Sequence, residues 1–233
     1  MRPQVLFFVL LLTLIGCQAI EPSHKITSKT HKVNPFEKIR VSGAMKVDIS
    51  FSSNEEVVIE APENLHKHIN VSVSSGELTL GMKSSTSIYG DSKIKVHIKA
   101  PSINSAVVSG ASSVKLNENY KGDSFDLNLS GASSFRGKIS VSSSSIEMSG
   151  AASAEIKGKA AKVKANLSGA SNLISHNFTV GALDIDLSGA SNAELEVKSS
   201  LSVDASGASS FEYKGNPTIL KLEESGASSI SKN

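Results

Sequence analysis

The chain has 233 residues, with 24 Lys or Arg against 22 Asp or Glu and a formal net charge of +2. That balance leaves no overall basic footprint of the kind that draws a protein to nucleic acid or to an anionic membrane surface. Aromatics are 5% of residues and Trp is absent, so any core must come mostly from Val, Ile, Leu and Ala.

Residues 1–16 read as a processing signal, with Arg2 followed by an apolar run from Val5 to Ile15 that only Thr13 interrupts. The run falls short of the roughly 20 apolar residues of a membrane-spanning helix. Leu14-Ile15-Gly16-Cys17 resembles the bacterial lipobox, which implies cleavage before Cys17 and lipidation of its thiol. Cys17 is the only cysteine and cannot form an internal disulfide. The alternative is an ordinary secretory signal with an incidental cysteine. Gln18 rather than Asp follows, which by resemblance to proteobacterial sorting implies an outer-membrane lipoprotein, on either leaflet.

Gln18 to Lys32 is polar and lacks apolar periodicity, so residues 17–32 read as the lipidated cysteine and a flexible tether. Residues 33–105 form an irregular β module suited to capping. Its strand candidates are Val57–Glu60, Ile69–Val73, Glu77–Leu80 and Lys93–Ile98; its loops are Ala61-Pro62-Glu63-Asn64, Ser74-Ser75-Gly76, Ser84–Asp91 and Ala100-Pro101.

Ser-Gly-Ala occurs first at Ser42-Gly43-Ala44 and then seven more times, with glycines at 110, 131, 150, 169, 189, 207 and 226. Before each serine, apolar and polar residues alternate: Phe125, Leu127 and Leu129 around Asp126 and Asn128, or Leu183, Ile185 and Leu187 around Asp184 and Asp186. The alternation resumes afterwards with Val114 and Leu116, Phe135, Ile156, Leu195, or Phe211 and Tyr213. Period two means a strand with one buried face. Each repeat is therefore a strand, a Ser-Gly-Ala corner, a second strand and a variable return. A spacing near 19 residues fits one coil of a parallel β-helix, whereas a propeller blade needs about 40. The expected fold is all-β: a single-stranded, right-handed parallel β-helix over residues 106–233, the hand taken by analogy with parallel crossovers.

Phe36-Glu37-Lys38-Ile39-Arg40-Val41-Ser42-Gly43-Ala44, Val58-Ile59-Glu60-Ala61-Pro62-Glu63-Asn64-Leu65, Gly76-Glu77-Leu78-Thr79-Leu80 and the later SGAS series resemble a bacterial family, the auto-transporter adhesin head GIN domain. The resemblance covers about residues 33–230. It implies a single-stranded parallel β-helix in an envelope lipoprotein of the Bacteroidetes type, and it carries no catalytic residues.

The residues themselves offer little chemistry. One outward position stacks Glu147, Asn166, Asp186, Asp204 and Glu223 in successive coils, an oxygen-rich column able to hold a hard cation such as Ca²⁺. Beside it run Lys164, Asp184, Ser202 and Lys221, so a solvated, mixed-charge face is the expectation, with no cofactor and no metal. His66-x-His68 lacks a third ligand at a recognisable spacing. Tyr89, Tyr120 and Tyr213 are the tyrosines that could serve as sugar platforms. Ser112-Ser113, Ser133-Ser134, Ser171-Asn172, Ser191-Asn192, Ser209-Ser210 and Ser228-Ser229 are expected to form hydroxyl and amide ladders from coil to coil. A repetitive hydroxyl face for a repetitive ligand is the alternative.

The function expected is that of a non-catalytic cell-envelope lipoprotein, a β-helical adhesin or assembly scaffold held to the membrane through Cys17. Its partners would be a glycan or a cell-surface protein. The final coil, with Leu220, Leu222 and Ile230, would either be blocked by Lys221, Glu223, Glu224 and Lys232 or support a homo-oligomer. A carbohydrate-active β-helix is the other reading.

Overall fold

A computed structural model describes residues 19–83, 86–90 and 92–233. The expected signal segment and Cys17 lie outside the described residues. In chain order, the strands before the regular repeats are β1 (Ile26–His31), β2 (Lys38–Val41), β3 (Met45–Phe51), β4 (Glu56–Pro62), β5 (Ile69–Ser74), β6 (Glu77–Met82), β7 (Ile94–Ala100) and β8 (Ser105–Val108). There follow β9 (Ser113–Leu129), β10 (Ser134–Met148), β11 (Ser153–Leu167), β12 (Asn172–Leu187), β13 (Asn192–Ala205), β14 (Ser210–Lys214), β15 (Thr218–Glu224) and β16 (Ser229–Lys232).

From β9 onward the strands pair in parallel, each with the equivalent strand of the next coil. The fold is thus the expected β-solenoid of stacked coils of about 19 residues. Every apolar residue singled out by the alternation faces inward: Phe125, Leu127, Leu129, Leu183, Ile185 and Leu187 are at most 3% exposed. The coil differs from expectation in its return. Between corners the chain is one continuous ladder: β10 and β11 stay in register from Ser134↔Ser153 to Met148↔Leu167. Differences in coil length are absorbed as bulges, as between Arg136 and Lys138 on β10, where the longer β9 accommodates its extra residues.

At each corner the glycine adopts φ between +69° and +75°, from Gly110 to Gly226, a region that glycine enters without a Cβ penalty. The following alanine N–H donates to the glycine carbonyl of the coil below, as from Ala170 to Gly150 at 2.7 Å. Inside the stack four of the aromatics form a chain of ring contacts. Phe51, Tyr120, Phe125 and Phe135 follow one another with ring centroids 5.4–5.9 Å apart.

The solitary first copy belongs to the same stack. β2 pairs in parallel with β8, and β3 with β9, so the segments divided at residue 105 share one sheet. Beyond this first coil, β7 adds to β3 and β6 to β2 in parallel. The sheet then turns antiparallel: β4 lies on β7, β5 on β6, and β1 on β4. This is the irregular cap, and each strand expected within it is present. Residues Glu63–His68, within and beyond the expected loop, form a short 3-10 helix.

The tether reading does not hold for residues 26–31. Ile26 to His31 pair with Pro62 to Val57, Ser23 N–H donates to Asn64 Oδ1 at 2.9 Å, and Lys25 meets Glu63 at 2.9 Å. An edge strand exposed on both faces carries no apolar alternation, so pairing rather than pattern makes it a strand.

At the other end, β15 is exposed throughout. Ile219 and Leu222 lie over Leu201 and Val203 but are 42% and 44% exposed, and Leu220 is 69% exposed. Two inward columns end in charge. Glu224 stands over Ala205 and accepts the Ile230 N–H at 2.6 Å, while Lys232 stands over Tyr213 and reaches Asn216 Oδ1 at 2.6 Å.

Candidate functional site

Outward residues recur at the same place in every coil, so the surface is organised as columns with the interstrand spacing of about 4.8 Å. The acidic column is assembled as expected: Glu147, Asn166, Asp186, Asp204 and Glu223 are in register, and Asn128 extends it by one coil. It lines a shallow groove of about 500 Å³. Its charges are answered within the column and beside it. Asn128 Nδ2 donates to Glu147 at 2.8 Å. Lys221 Nζ sits 3.0 Å from Asp204 and 3.1 Å from Glu223, and these hydrogen bonds raise the Lys221 pKa. An ammonium thus occupies the place between the two carboxylates that a bound cation would take. Among the described residues, no three of His, Cys, Asp and Glu gather as a metal site.

The other candidates are dispersed. His66 is buried in the cap, its Nε2 3.0 Å from both the Thr27 carbonyl and hydroxyl oxygens, so it braces β1. Tyr120 and Tyr213 are core residues, not platforms; burial raises the Tyr120 pKa, and Tyr213 stacks on Phe211 at 6.0 Å. Tyr89 remains on the surface, 76% exposed.

The serine columns depart from the expected ladder. Ser112, Ser133, Ser171, Ser191 and Ser209 are buried, inside the corner. Ser171 donates to Ser168 O and Ser191 to Ser188 O at 2.9 Å, as the half-buried Ser228 does to Ser225 O at 2.9 Å, while Ser112 Oγ accepts the Met45 N–H at 3.4 Å. The hydroxyls of Ser133 and Ser209 have no partner among the described residues. The first serine of each motif reaches across coils, but to a backbone oxygen, as Ser206 Oγ does to Leu187 O at 3.2 Å. A hydroxyl-to-hydroxyl contact occurs at Ser229 and Ser210, 3.3 Å apart.

A second groove, not anticipated from the sequence, runs on the face just after the corner. It has a volume of about 710 Å³ and spans β3, β9, β10, β11 and the start of β12. Its floor is the register Lys46–Ser113–Ser134–Ser153, and the next outward column is Asp48–Lys115–Arg136–Glu155–Ile174. Small serines beside long cationic side chains make it concave. Arg136 and Lys157 both meet Glu155, at 2.7 and 3.1 Å, and the Lys157 hydrogen bond, with Arg136 adding, lowers the Glu155 pKa. The signal lay in the outward parity of these residues. Seeing it required knowing that Lys46 stacks on Ser113, 67 residues away.

Comparison with known proteins settles the lineage. The family described as "Putative auto-transporter adhesin, head GIN domain" matches residues 35–217. The chain belongs to that family. Solved structures share the fold. A protein titled "putative adhesin" from Bacteroides fragilis superposes with a TM-score of 0.85 at 24% identity, covering 92% of this chain and 100% of that one. Another so titled, from Parabacteroides distasonis, gives 0.76 at 20% identity over 93% and 100%. A third, titled "Putative lipid binding protein" and from the same species, gives 0.73 at 17% identity over 93% and 100%. No curated protein matches the chain. Among the described residues, no helix is long and apolar enough to cross a membrane.

Proposed function

We propose that the chain is a non-catalytic, outer-membrane lipoprotein whose β-helical rod presents an adhesive surface to a glycan or a cell-surface protein. The observation that carries this reading is the family match over residues 35–217, joined to outer faces that repeat from coil to coil. A ligand that itself repeats can then be met by many weak contacts at once. Leu14-Ile15-Gly16-Cys17 supports the anchor. Ile20 N–H already donates to Ser87 O at 2.8 Å, so only about 10 Å of extended chain separates Cys17 from the docked fold. Anchoring there would hold the antiparallel cap near the bilayer and point β15 and β16 away from it.

The anchor is tested by replacing Cys17 with Ser. The variant should leave the membrane fraction, whereas the parent should carry acyl chains in mass spectrometry. A variant that still partitions with membranes and shows the parent's mature mass removes the lipoprotein reading. Adhesion is tested on a glycan array and by pull-down of surface proteins with residues 19–233, which retain β1; binding to neither class removes the adhesin reading.

The last coil gives a further expectation. Ile219, Leu220 and Leu222 expose apolar surface on a strand edge that is unpaired among the described residues, a pairing template for a second copy. The inward charges of Glu224 and Lys232 limit that pairing without covering these side chains. Light scattering should therefore find a dimer that Leu220→Lys and Leu222→Lys together convert to monomer. A parent that stays monomeric at high concentration rejects the self-association.

A further inference from the structure

The groove after the corner carries charge that the fold itself does not use. Lys115 on β9 lies directly beside Arg136 on β10, and Lys138 beside Lys157 on β11. Like charges facing each other across strands destabilise a sheet. Glu155 answers Arg136 and Lys157. The side chains of Lys46, Lys115 and Lys138 have no ion pair or hydrogen bond among the described residues. Counting the lining Lys46, Lys115, Arg136 and Lys157 against Asp48 and Glu155 gives a local net of +2, with Lys138 adjoining at the position beside Lys157. That equals the formal net charge of the whole chain, so the remaining charges cancel.

The floor of the groove is equally unsatisfied. The hydroxyls of Ser113, Ser134 and Ser153 stand in register one coil apart and make no hydrogen bond among the described residues, unlike those of Ser171 and Ser191 in the corner. Free hydroxyls at a repeat of about 4.8 Å, flanked by free ammonium groups, match a linear chain that bears both hydroxyls and anions.

We propose that this groove binds a polyanionic glycan, with uronate or sulfate groups held by Lys46, Lys115 and Arg136, Lys138 adding from beside Lys157 at its edge, and sugar hydroxyls by Ser113, Ser134 and Ser153. The proposal rests on the adhesin reading and narrows its ligand. A neutral sugar would need an aromatic platform, and the groove's Phe135 is buried. A single-stranded nucleic acid would need the same stacking surfaces. The anionic glycan needs neither.

The full-length chain in neutral detergent is titrated calorimetrically with polygalacturonate, dextran sulfate, unmodified dextran and an oligothymidylate. Binding is expected to at least one of the two anionic glycans, to weaken with added salt, and to be absent for dextran. Lys115→Gln together with Arg136→Gln should weaken it about tenfold or more. Lys162→Gln with Lys164→Gln removes the same charge from another face and should change it less than about twofold. Lys115→Gln alone relieves the like-charge pair, so its melting temperature should not fall while its affinity does. No binding to either anionic glycan, equal losses in both double variants, or an oligothymidylate that binds as tightly as the glycans overturns the proposal. Binding to uncharged array glycans that Lys115→Gln leaves unchanged also overturns it, yet leaves the adhesin reading standing.

Discussion

Leu187→Ala is expected to lower the unfolding free energy by about 2–5 kcal/mol, the range for truncating a buried leucine. Leu187 is 2% exposed and stacks between Leu167 below and Ala205 above. Ala205 is already small, so the cavity would open toward a coil with little side chain to fill it, which favours the upper part of the range. Asp186, one residue earlier, faces outward in the acidic column, and Asp186→Ala should stay within about 0.5 kcal/mol. Urea unfolding of the two variants at equal slope provides the comparison. Similar losses for both would contradict the assignment of inner and outer faces on which the columns depend.

The difference between these neighbours was legible in the sequence because stacking keeps every coil in phase. One alternation, read seven times, assigned Phe125 through Tyr213 to the core, and the four strands expected in the cap are present near the positions read. The family resemblance, carried by the residues around Ser42 and Val58, agreed with that reading. What was illegible has one physical source: it depends on register between segments far apart in the chain. β1 is a strand because β4 offers it an edge, and nothing in Ile26–His31 announces this. Ser171, Ser191 and Ser228 turn to the carbonyl three residues back because the corner closes on itself, so a column of identical residues need not be a ladder of mutual hydrogen bonds. The cationic groove exists because Ser42-Gly43-Ala44 is the first coil of the stack, which puts Lys46 beside Ser113. Lys221 could be counted as a neighbour of the acidic column, but its place between Asp204 and Glu223 follows from the three-dimensional path of β15.

Gly169→Ala should cost an amount comparable to the leucine truncation, for two separable reasons. Gly169 has φ +73°, where an L-residue with a Cβ is disfavoured by about 1–2 kcal/mol. In addition, the new Cβ would lie 2.6 Å from the Gly150 carbonyl oxygen. That oxygen accepts the Ala170 N–H at 2.7 Å, so it cannot retreat without lengthening the corner hydrogen bond between coils. Gly76 isolates the first cause. It has the same φ, +73°, in the β5–β6 turn, but a Cβ there would meet nothing within 4 Å. Gly76→Ala should therefore cost about 1–2 kcal/mol. Gly169→Ala should cost about 3 kcal/mol or more, the excess being the clash between stacked corners. Because each coil touches only its neighbours, the defect should act as a break in a one-dimensional stack. Hydrogen exchange in Gly169→Ala should accelerate at Ala170 and Ala190 while the amides of β3 and β7 keep their protection. If Gly76→Ala and Gly169→Ala lose the same stability, the corner glycines are present for backbone conformation alone, and close approach between coils is not what requires them.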